Sequence, residues 1–395
     1  MQQVERHIRY EDAKLTDLCF KSARLYNFVT YHYRQSIFGK QAYFSEFEMS
    51  KLCTEFNQED YRALPAQTAQ QVIKQVFTNF KSFFEAKKTY DKSKAGFSGK
   101  PKLPKYKDKS GLNIAVFTNQ QVKVKGGYIH FPKMTGIAPL KTKVDNLAQV
   151  RIIPQATCFV IEVVYEKKET DSGLEKDNVL SIDLGLNNLI ATSNNVGLAP
   201  FIINGKILKS FNHWYNKSKA KLMAYVGGNG ASKRLCNLNN YRNNYIHDKM
   251  HKASRFIIDY CIENNIGTIV IGRNKGWKNS INLGKKTNQK FVELPHLKLI
   301  EQIAYKGKLV GIKVVETEEA YTSKCDHLAL ENMSKQEAYL GKRKKRGLFQ
   351  SSVGKLLNAD TNGSIGIARK VFGNSIVSSI TNSGFVYNPY SINII

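Results

Sequence analysis

Acidic residues are scarce in this sequence: 32 Asp and Glu stand against 60 Lys and Arg in 395 residues, a formal charge of +28. So large an excess of one sign has to be neutralised by a polyanion, and nucleic acid is the natural one, because each Lys or Arg that meets a phosphate releases a condensed counterion. Paired cysteines are missing as well. Cys19, Cys53, Cys158, Cys236, Cys261 and Cys325 are scattered with no CxxC spacing, which removes the usual zinc ribbon and points to a reducing cytoplasm. No long apolar run and nothing like a signal peptide occurs, so a cytoplasmic protein without a membrane partner is expected, associated with a prokaryotic nucleoid. The chain also lacks the basic amphipathic helix that a membrane surface would need.

What remains is an ordinary globular composition, 42% hydrophobic and 11% aromatic, with enough apolar side chains for two or three cores. Leu15, Leu18, Leu25 and Val29 keep helical spacing. A second helix is expected from Pro65, with Ala69, Val72, Val76, Phe80 and Phe83 on one face. Lys87 to Lys109 has Gly, Pro and frequent Lys but no apolar period, and reads as a mobile basic connector. From about residue 112 the texture changes: QVKVKGGYIHF alternates about a Gly-Gly turn, and CFVIEVVYE is rich in β-branched residues. After a polar linker, strands at Val179 to Asp183, Thr268 to Gly272 and Gly311 to Val315 alternate with helices, an α/β pattern. One long helix carries Ile246, Met250, Ala253, Ile257 and Tyr260 on its core stripe. Lys233, Arg234, Arg242, Lys249 and Lys252 form a basic face on it that suits a duplex backbone or plain solvent.

Acids that stand out in so basic a chain are the candidate chemistry. The run SIDLGLNN ends in Asp183, a carboxylate at the C-terminal tip of a buried strand, where open α/β sheets bind ligands; it could equally open a turn. GIKVVETEEAYTSK sets Glu316, Glu318 and Glu319 at another strand end, and NADTNGSIGIARK puts Asp360 at the start of a helix, as a ligand or as an N-cap. Three carboxylates from separate segments suit Mg²⁺ ions that drive in-line phosphodiester hydrolysis.

SIDLGLNNLIAT, IVIGRNKGWK, ETEEAYTSKC, YLGKRKKRG and NADTNGSIGIARK occur in this order, and together they resemble the TnpB family of transposon-encoded, RNA-guided DNA endonucleases, relatives of the compact type V CRISPR nucleases. LYNFV and LPAQTAQQVIKQVFTNFKSFF look like that family's recognition helices, so the similarity spans nearly the whole chain. The resemblance implies a multidomain α+β protein. It would comprise a first strand of a wedge-like β module (1–10), a helical recognition domain with a basic linker (11–110), the small antiparallel β module (111–172), a RuvC domain of RNase H-like α/β fold (173–321 and 358–395), and a basic insert that binds target nucleic acid (322–357).

By motif, the resemblance makes Asp183, Glu319 and Asp360 the catalytic, metal-holding acids. The usual middle Glu is replaced by Gly272, and Glu319 from the next strand is expected to substitute, with Glu318 as runner-up and Glu316 still within the strand. Two Mg²⁺ ions and no zinc are expected, because the insert offers only Cys325 and His327 where relatives carry a zinc ribbon. Lys342, Arg343, Lys344, Lys345 and Arg346 stand there instead, as contacts to a strand or as a solvated loop. Trp277 and Lys278 could touch a base or pack in the core. Gly366 stands where similar sequences show Asn. The implied activity is cleavage of double-stranded target DNA after pairing with a guide RNA, either transposon-end-derived or a CRISPR RNA, next to a short flanking motif. The rivals are a nuclease-inactive guide-dependent repressor and a DNA-binding transposase accessory protein that needs no RNA.

Overall fold

The computed structural model describes residues 1–39, 44–227, 230–273, 294–345 and 347–394. The chain divides into two compact units, Met1–Lys167 and Lys168–Ile395, and is a mixture of helices and several sheets. No described helix is long and apolar enough to cross a membrane, and all six cysteines are free thiols.

In the first unit, helix α1 (Ala13–Ile37) begins where the Asp12 side chain accepts the free N–H groups of Lys14 and Leu15. Its expected stripe, Leu15, Leu18, Leu25 and Val29, is buried. Two short helices, α2 (Glu46–Glu55) and α3 (Glu59–Ala63), lead into α4 (Ala66–Lys92), which buries Ala69, Val72, Val76 and Phe80. Full burial of a side chain such as Phe80 contributes about 1.5–3 kcal/mol. Helix α4 continues through Lys92, so the first residues of the expected connector are helical; no Gly or Pro interrupts them before Gly96. The rest of the connector has no regular element. Asn27 accepts from the Lys107 amide at 2.7 Å and donates to its carbonyl at 2.9 Å, and Arg34 lies 4.4 Å over the Tyr106 ring. These contacts tie the end of the connector to α1.

Strands β1 (Gln2–Arg9), β2 (Ala115–Thr118), β6 (Leu147–Pro154) and β7 (Phe159–Glu166) form an antiparallel sheet in the order β1-β7-β6-β2. A smaller sheet joins β3 (Lys123–Lys125), β4 (Tyr128–His130) and β5 (Leu140–Lys141). Gly126 and Gly127, both at positive φ, make the tight turn between β3 and β4 that the Gly-Gly pair predicts.

The second unit is built on a six-stranded sheet. Its members are β8 (Val179–Leu184), β9 (Asn188–Asn194), β10 (Phe201–Asn204), β11 (Thr268–Gly272), β12 (Lys313–Thr317) and β16 (Tyr390–Ile392), in the order β12-β11-β8-β9-β10-β16. Strands β8, β11 and β12 run parallel, whereas β9 is antiparallel to β8 and β10. The third strand starts two residues later than its sequence suggests, because Gly311, at φ 81°, closes the preceding helix α7 (His296–Leu309) in the left-handed region. Helices α5 (Lys206–Tyr225) and α6 (Lys233–Glu263) precede β11, and α6 buries Ile246, Met250, Ala253 and Ile257 as its period requires. The insert holds a meander of β13 (Lys342–Lys345), β14 (Leu348–Gln350) and β15 (Leu356–Asn358). Helices α8 (Ala359–Phe372) and α9 (Ser375–Thr381) follow. Helix α8 is buried along most of its length, since Gly363, Ser364, Gly366 and Ala368 let it approach its neighbours closely.

Candidate acidic site at the sheet edge

Asp183 stands near the end of β8, opposite Ala191 of β9, after the buried run Val179 to Ile182. The apolar run drives the strand into the sheet and leaves the carboxylate at its C-terminal rim. Protein packs closely round it. Its pKa is pushed well above the ordinary carboxylate range, first by desolvation, then by the negative charges of Glu319 and Asp360, against which Arg343 acts in the opposite sense. Acids from three separate segments thus share one electrostatic environment.

The glutamate cluster sorts itself by contact. Glu316 lies on β12 and pairs with Arg273. Glu318 is exposed. Glu319 is more enclosed, and burial raises its pKa, with Lys370 pulling the other way. Gly272 explains why the neighbouring strand offers no acid: a Cβ at that position would fall 2.5 Å from Ile367 Cδ1 and 3.2 Å from Glu319 Cβ. The space a side chain of β11 would occupy is therefore filled by α8 and by Glu319 itself.

Asp360 is not the cap of α8. The Asn358 side chain does that work, accepting from the amides of Asp360 at 2.9 Å and Thr361 at 3.3 Å. The Asp360 carboxylate instead accepts from Asn188 Nδ2 at 2.7 Å and lies 4.0 Å from Arg343 Nη2. Gly363, one turn further along α8, packs against Asp183; a Cβ there would sit 2.5 Å from its Oδ2. Asn188 is a site residue that sequence reasoning missed, although it lies in the SIDLGLNN segment.

Hard carboxylate oxygens without thiolate or imidazole suit Mg²⁺ in donor chemistry, and the mutual repulsion around Asp183 is what a divalent cation would relieve. Among the described residues, however, no three His, Cys, Asp or Glu side chains stand close enough together to hold an ion in common. Asp360 is turned toward Asn188 and Arg343. The acids are coupled through their charges rather than assembled into a cage.

The basic segment forms strand β13 rather than a loop, paired with β14 through Lys342 opposite Gln350 and Arg343 opposite Phe349. Lys342, Arg343, Lys344 and Lys345 are exposed, and of these Arg343 reaches the acids. Trp277, Lys278 and Arg346 lie outside the described residues.

The insert is anchored by buried polar side chains. Asp326 accepts from Ser351 Oγ at 2.7 Å and from the Ser352 amide at 2.6 Å, and these bonds hold its carboxyl below the usual range despite burial. Glu331 accepts from the amides of Asp326 and Leu340. Arg369 of α8 donates to the carbonyls of Glu331 at 2.6 Å and Leu330 at 2.7 Å. His327 contacts the Thr322 carbonyl through Nε2 at 2.7 Å and Arg369 through Nδ1 at 3.4 Å, partners that fit a neutral ring protonated on Nε2. Burial lowers its pKa to about 4. Gly366 makes room for this ring, since a Cβ there would lie 2.3 Å from His327 Nε2. Cys325 Sγ faces the Asn332 carbonyl at 3.5 Å.

Comparison with known proteins gives two family segments. Residues 162–278 match the family OrfB_IS605, described as a probable transposase. Residues 296–367 match the Cas12f1-like TNB domain. No curated protein matches the chain. Among solved structures, a Cas12f1–sgRNA–target DNA complex is similar at TM-score 0.40 and 14% identity, over 94% of this chain and 100% of that one. A CRISPR-Cas12f ternary complex is similar at TM-score 0.39 and 14% identity, over 89% and 80%.

Proposed function

We propose that this chain, which the two matched segments identify as a member of the TnpB family, is an RNA-guided DNA endonuclease that hydrolyses phosphodiesters at the acidic sheet edge. The observation that carries the proposal is the Asp183 carboxyl, desolvated at a strand tip and destabilised as an anion by Glu319 and Asp360. Perturbation of this kind by burial and like charge marks a site built for a cation or a proton. The strand order, with β9 and β10 antiparallel beside β8 and β11 and β12 parallel on its other side, is consistent with an RNase H-like RuvC domain. The charge of +28 suits a guide RNA and a DNA duplex as partners.

In this reading Asp183, Glu319 and Asp360 would hold Mg²⁺. The bound ions would activate water and stabilise the leaving oxygen. Asn188 orients the Asp360 carboxylate through its amide, and Gly363 leaves the Asp183 oxygen room to face the reacting phosphate. Arg343, carried in from the insert, neutralises carboxylate charge until a cation takes its place and frees it for a phosphate; the exposed Lys342, Lys344 and Lys345 extend the attraction along the incoming strand.

A second reading has one observation in its favour. Asp360 is engaged by Asn188 and Arg343, and no three-ligand group stands among the described residues, as a guide-dependent repressor with an idle site would require. The experiment that separates the two is to purify the protein with its co-expressed RNA, sequence that RNA, and incubate the complex with a matching plasmid in Mg²⁺ or EDTA. Nicking that needs Mg²⁺ and disappears in Asp183→Ala, with target binding retained, supports the nuclease. Binding without any nicking by the parent protein establishes the repressor.

A further inference from the structure

Helices α5 and α6 present an aromatic surface that the acidic site does not use. Their mutual seam is polar: Arg242 Nε donates to Asn212 at 3.0 Å, and the Tyr215 hydroxyl donates to Asn239 at 2.7 Å. Beside these bonds a cluster of large rings also bridges the two helices and reaches the surface. Phe211 stacks on Tyr245 with centroids 3.9 Å apart, and lies 5.5 Å from Trp214 and 5.6 Å from Tyr241; Trp214 meets Tyr241 edge-on at 6.1 Å. Trp214 is 46% exposed and Tyr241 55%. Phe211 and Tyr245 cover one another between the helices, while the half-exposed Trp214 and Tyr241 keep ring surface open to a partner.

The surrounding charge names the chemistry of that partner. Between residues 184 and 247 there are eight Lys and Arg and no Asp or Glu. Lys217 and Lys221 follow Trp214 at helical intervals of three and seven residues, so they share its stripe on α5. Lys249 lies 5.4 Å over the Tyr245 ring and extends the same flank along α6. Stacking rings interleaved with cations, with Asp248, paired with Lys252, as the acid at the far end of the flank, match unpaired bases on a phosphodiester backbone rather than an apolar peptide or a protein with balanced charge.

The position selects the strand. Lys209 Nζ donates to Asn187 Oδ1 at 3.0 Å, and the next residue, Asn188, holds Asp360. Trp214 lies only five residues beyond Lys209 on α5, a rise of about 7.5 Å. We infer that the exposed flank of α5 and α6, centred on Trp214 and Tyr241, binds single-stranded DNA by base stacking, guiding the strand to be cut toward the acidic edge. The choice of DNA as occupant rests on the nuclease reading; the stacking surface itself does not.

The test uses full-length protein carrying Asp183→Ala, in EDTA, with fluorescein-labelled dT15 and U15 as probes. Replacing either ring, by Trp214→Ala or Tyr241→Ala, is expected to weaken dT15 binding about tenfold, while Trp214→Phe, which keeps a π-face, stays near the parent. The ring variants should keep the parent's salt slope, because that slope counts phosphates, whereas Lys217→Ala should flatten it by about 0.7. Unchanged dT15 affinity in both Ala variants, with unaltered far-UV circular dichroism, overturns the proposal. Tighter, ring-dependent binding of U15 overturns DNA as the occupant. A lower sedimentation coefficient of Trp214→Ala without nucleic acid also overturns it, since the rings would then join two copies. Ring-dependent dT15 binding beside a parent that never nicks plasmid supports the surface and removes the nuclease reading, so the two failures are distinct.

Discussion

Gly363→Ala separates fold from site in a single methyl group. In the interior of a helix this exchange is normally favourable, by about 1 kcal/mol, because Ala loses less backbone freedom. At this position the new Cβ would stand 2.5 Å from Asp183 Oδ2, with Asp183 Cγ at 3.3 Å. To regain an ordinary contact of 3.4 Å the oxygen must withdraw by about 0.9 Å. A terminal carboxylate can do so by turning, so the crowding costs less than it would against backbone, and it is offset by the helix term. Net stability should stay within about 1 kcal/mol of the parent, a shift in Tm of no more than about 4 °C. Catalysis is less forgiving. Displacing a reacting or ligating atom by about 1 Å costs on the order of a hundredfold in rate, and Asp183 is the carboxylate at the centre of the proposed site. Plasmid nicking by the guide-loaded complex at saturating Mg²⁺ should therefore fall about a hundredfold while calorimetry shows a nearly unchanged Tm. Nicking within threefold of the parent, in protein of normal stability, would refute the placement of Asp183 as an ion ligand. Gly366→Ala is the internal contrast: its Cβ meets the anchored His327 ring at 2.3 Å, with no flexible end to yield. It should lose about 1–3 kcal/mol of stability.

Asp183→Asn removes a charge that burial, Glu319 and Asp360 all penalise. A carboxyl whose folded pKa is raised loses stability as pH rises through that range, so in EDTA at pH 7.5 the Asn variant should melt higher than the parent, the gap closing below about pH 4; equal Tm values at pH 7.5 would count against the assigned environment. His327 behaves with the opposite sign. Its folded pKa of about 4 lies below the ordinary 6.5, so stability should grow by about 3 kcal/mol between those pH values and be fully present above 6.5. Urea unfolding at pH 5 and 7.5 should show this dependence in the parent and lose most of it in His327→Gln, and identical profiles would argue that the ring is not buried neutral. Arg343→Ala takes a cation from beside Asp360, and DNA-free protein should then bind Mn²⁺ severalfold more tightly by calorimetry; weaker binding would show that Arg343 does not compete with the ion.

Much of the second unit was legible as pattern. The apolar run before Asp183 and the stripe Ile246, Met250, Ala253 and Ile257 each follow from local periodicity, because burying one face needs only spacing. Register-level facts were less accessible. Gly311 delays β12 by two residues through a positive φ, and the Lys-rich segment 342–345 becomes a strand through its pairing with β14. Local composition alone specified neither. The ties of Lys107 to Asn27 and of Tyr106 to Arg34 were out of reach for the same reason, since these partners lie far away along the chain.

The sequence by itself determined the charge, the order of the family segments and the short roll of candidate acids, since these depend on residue types and spacing alone. Only the tertiary structure decided which glutamate adds its charge to Asp183, that Asn358 and not Asp360 caps α8, and that Gly272, Gly363 and Gly366 are spaces already filled by Glu319, Asp183 and His327. Electrostatic coupling and close packing fall off over a few ångströms, and separation along a chain carries no information about distances of that size once strands from different segments lie side by side.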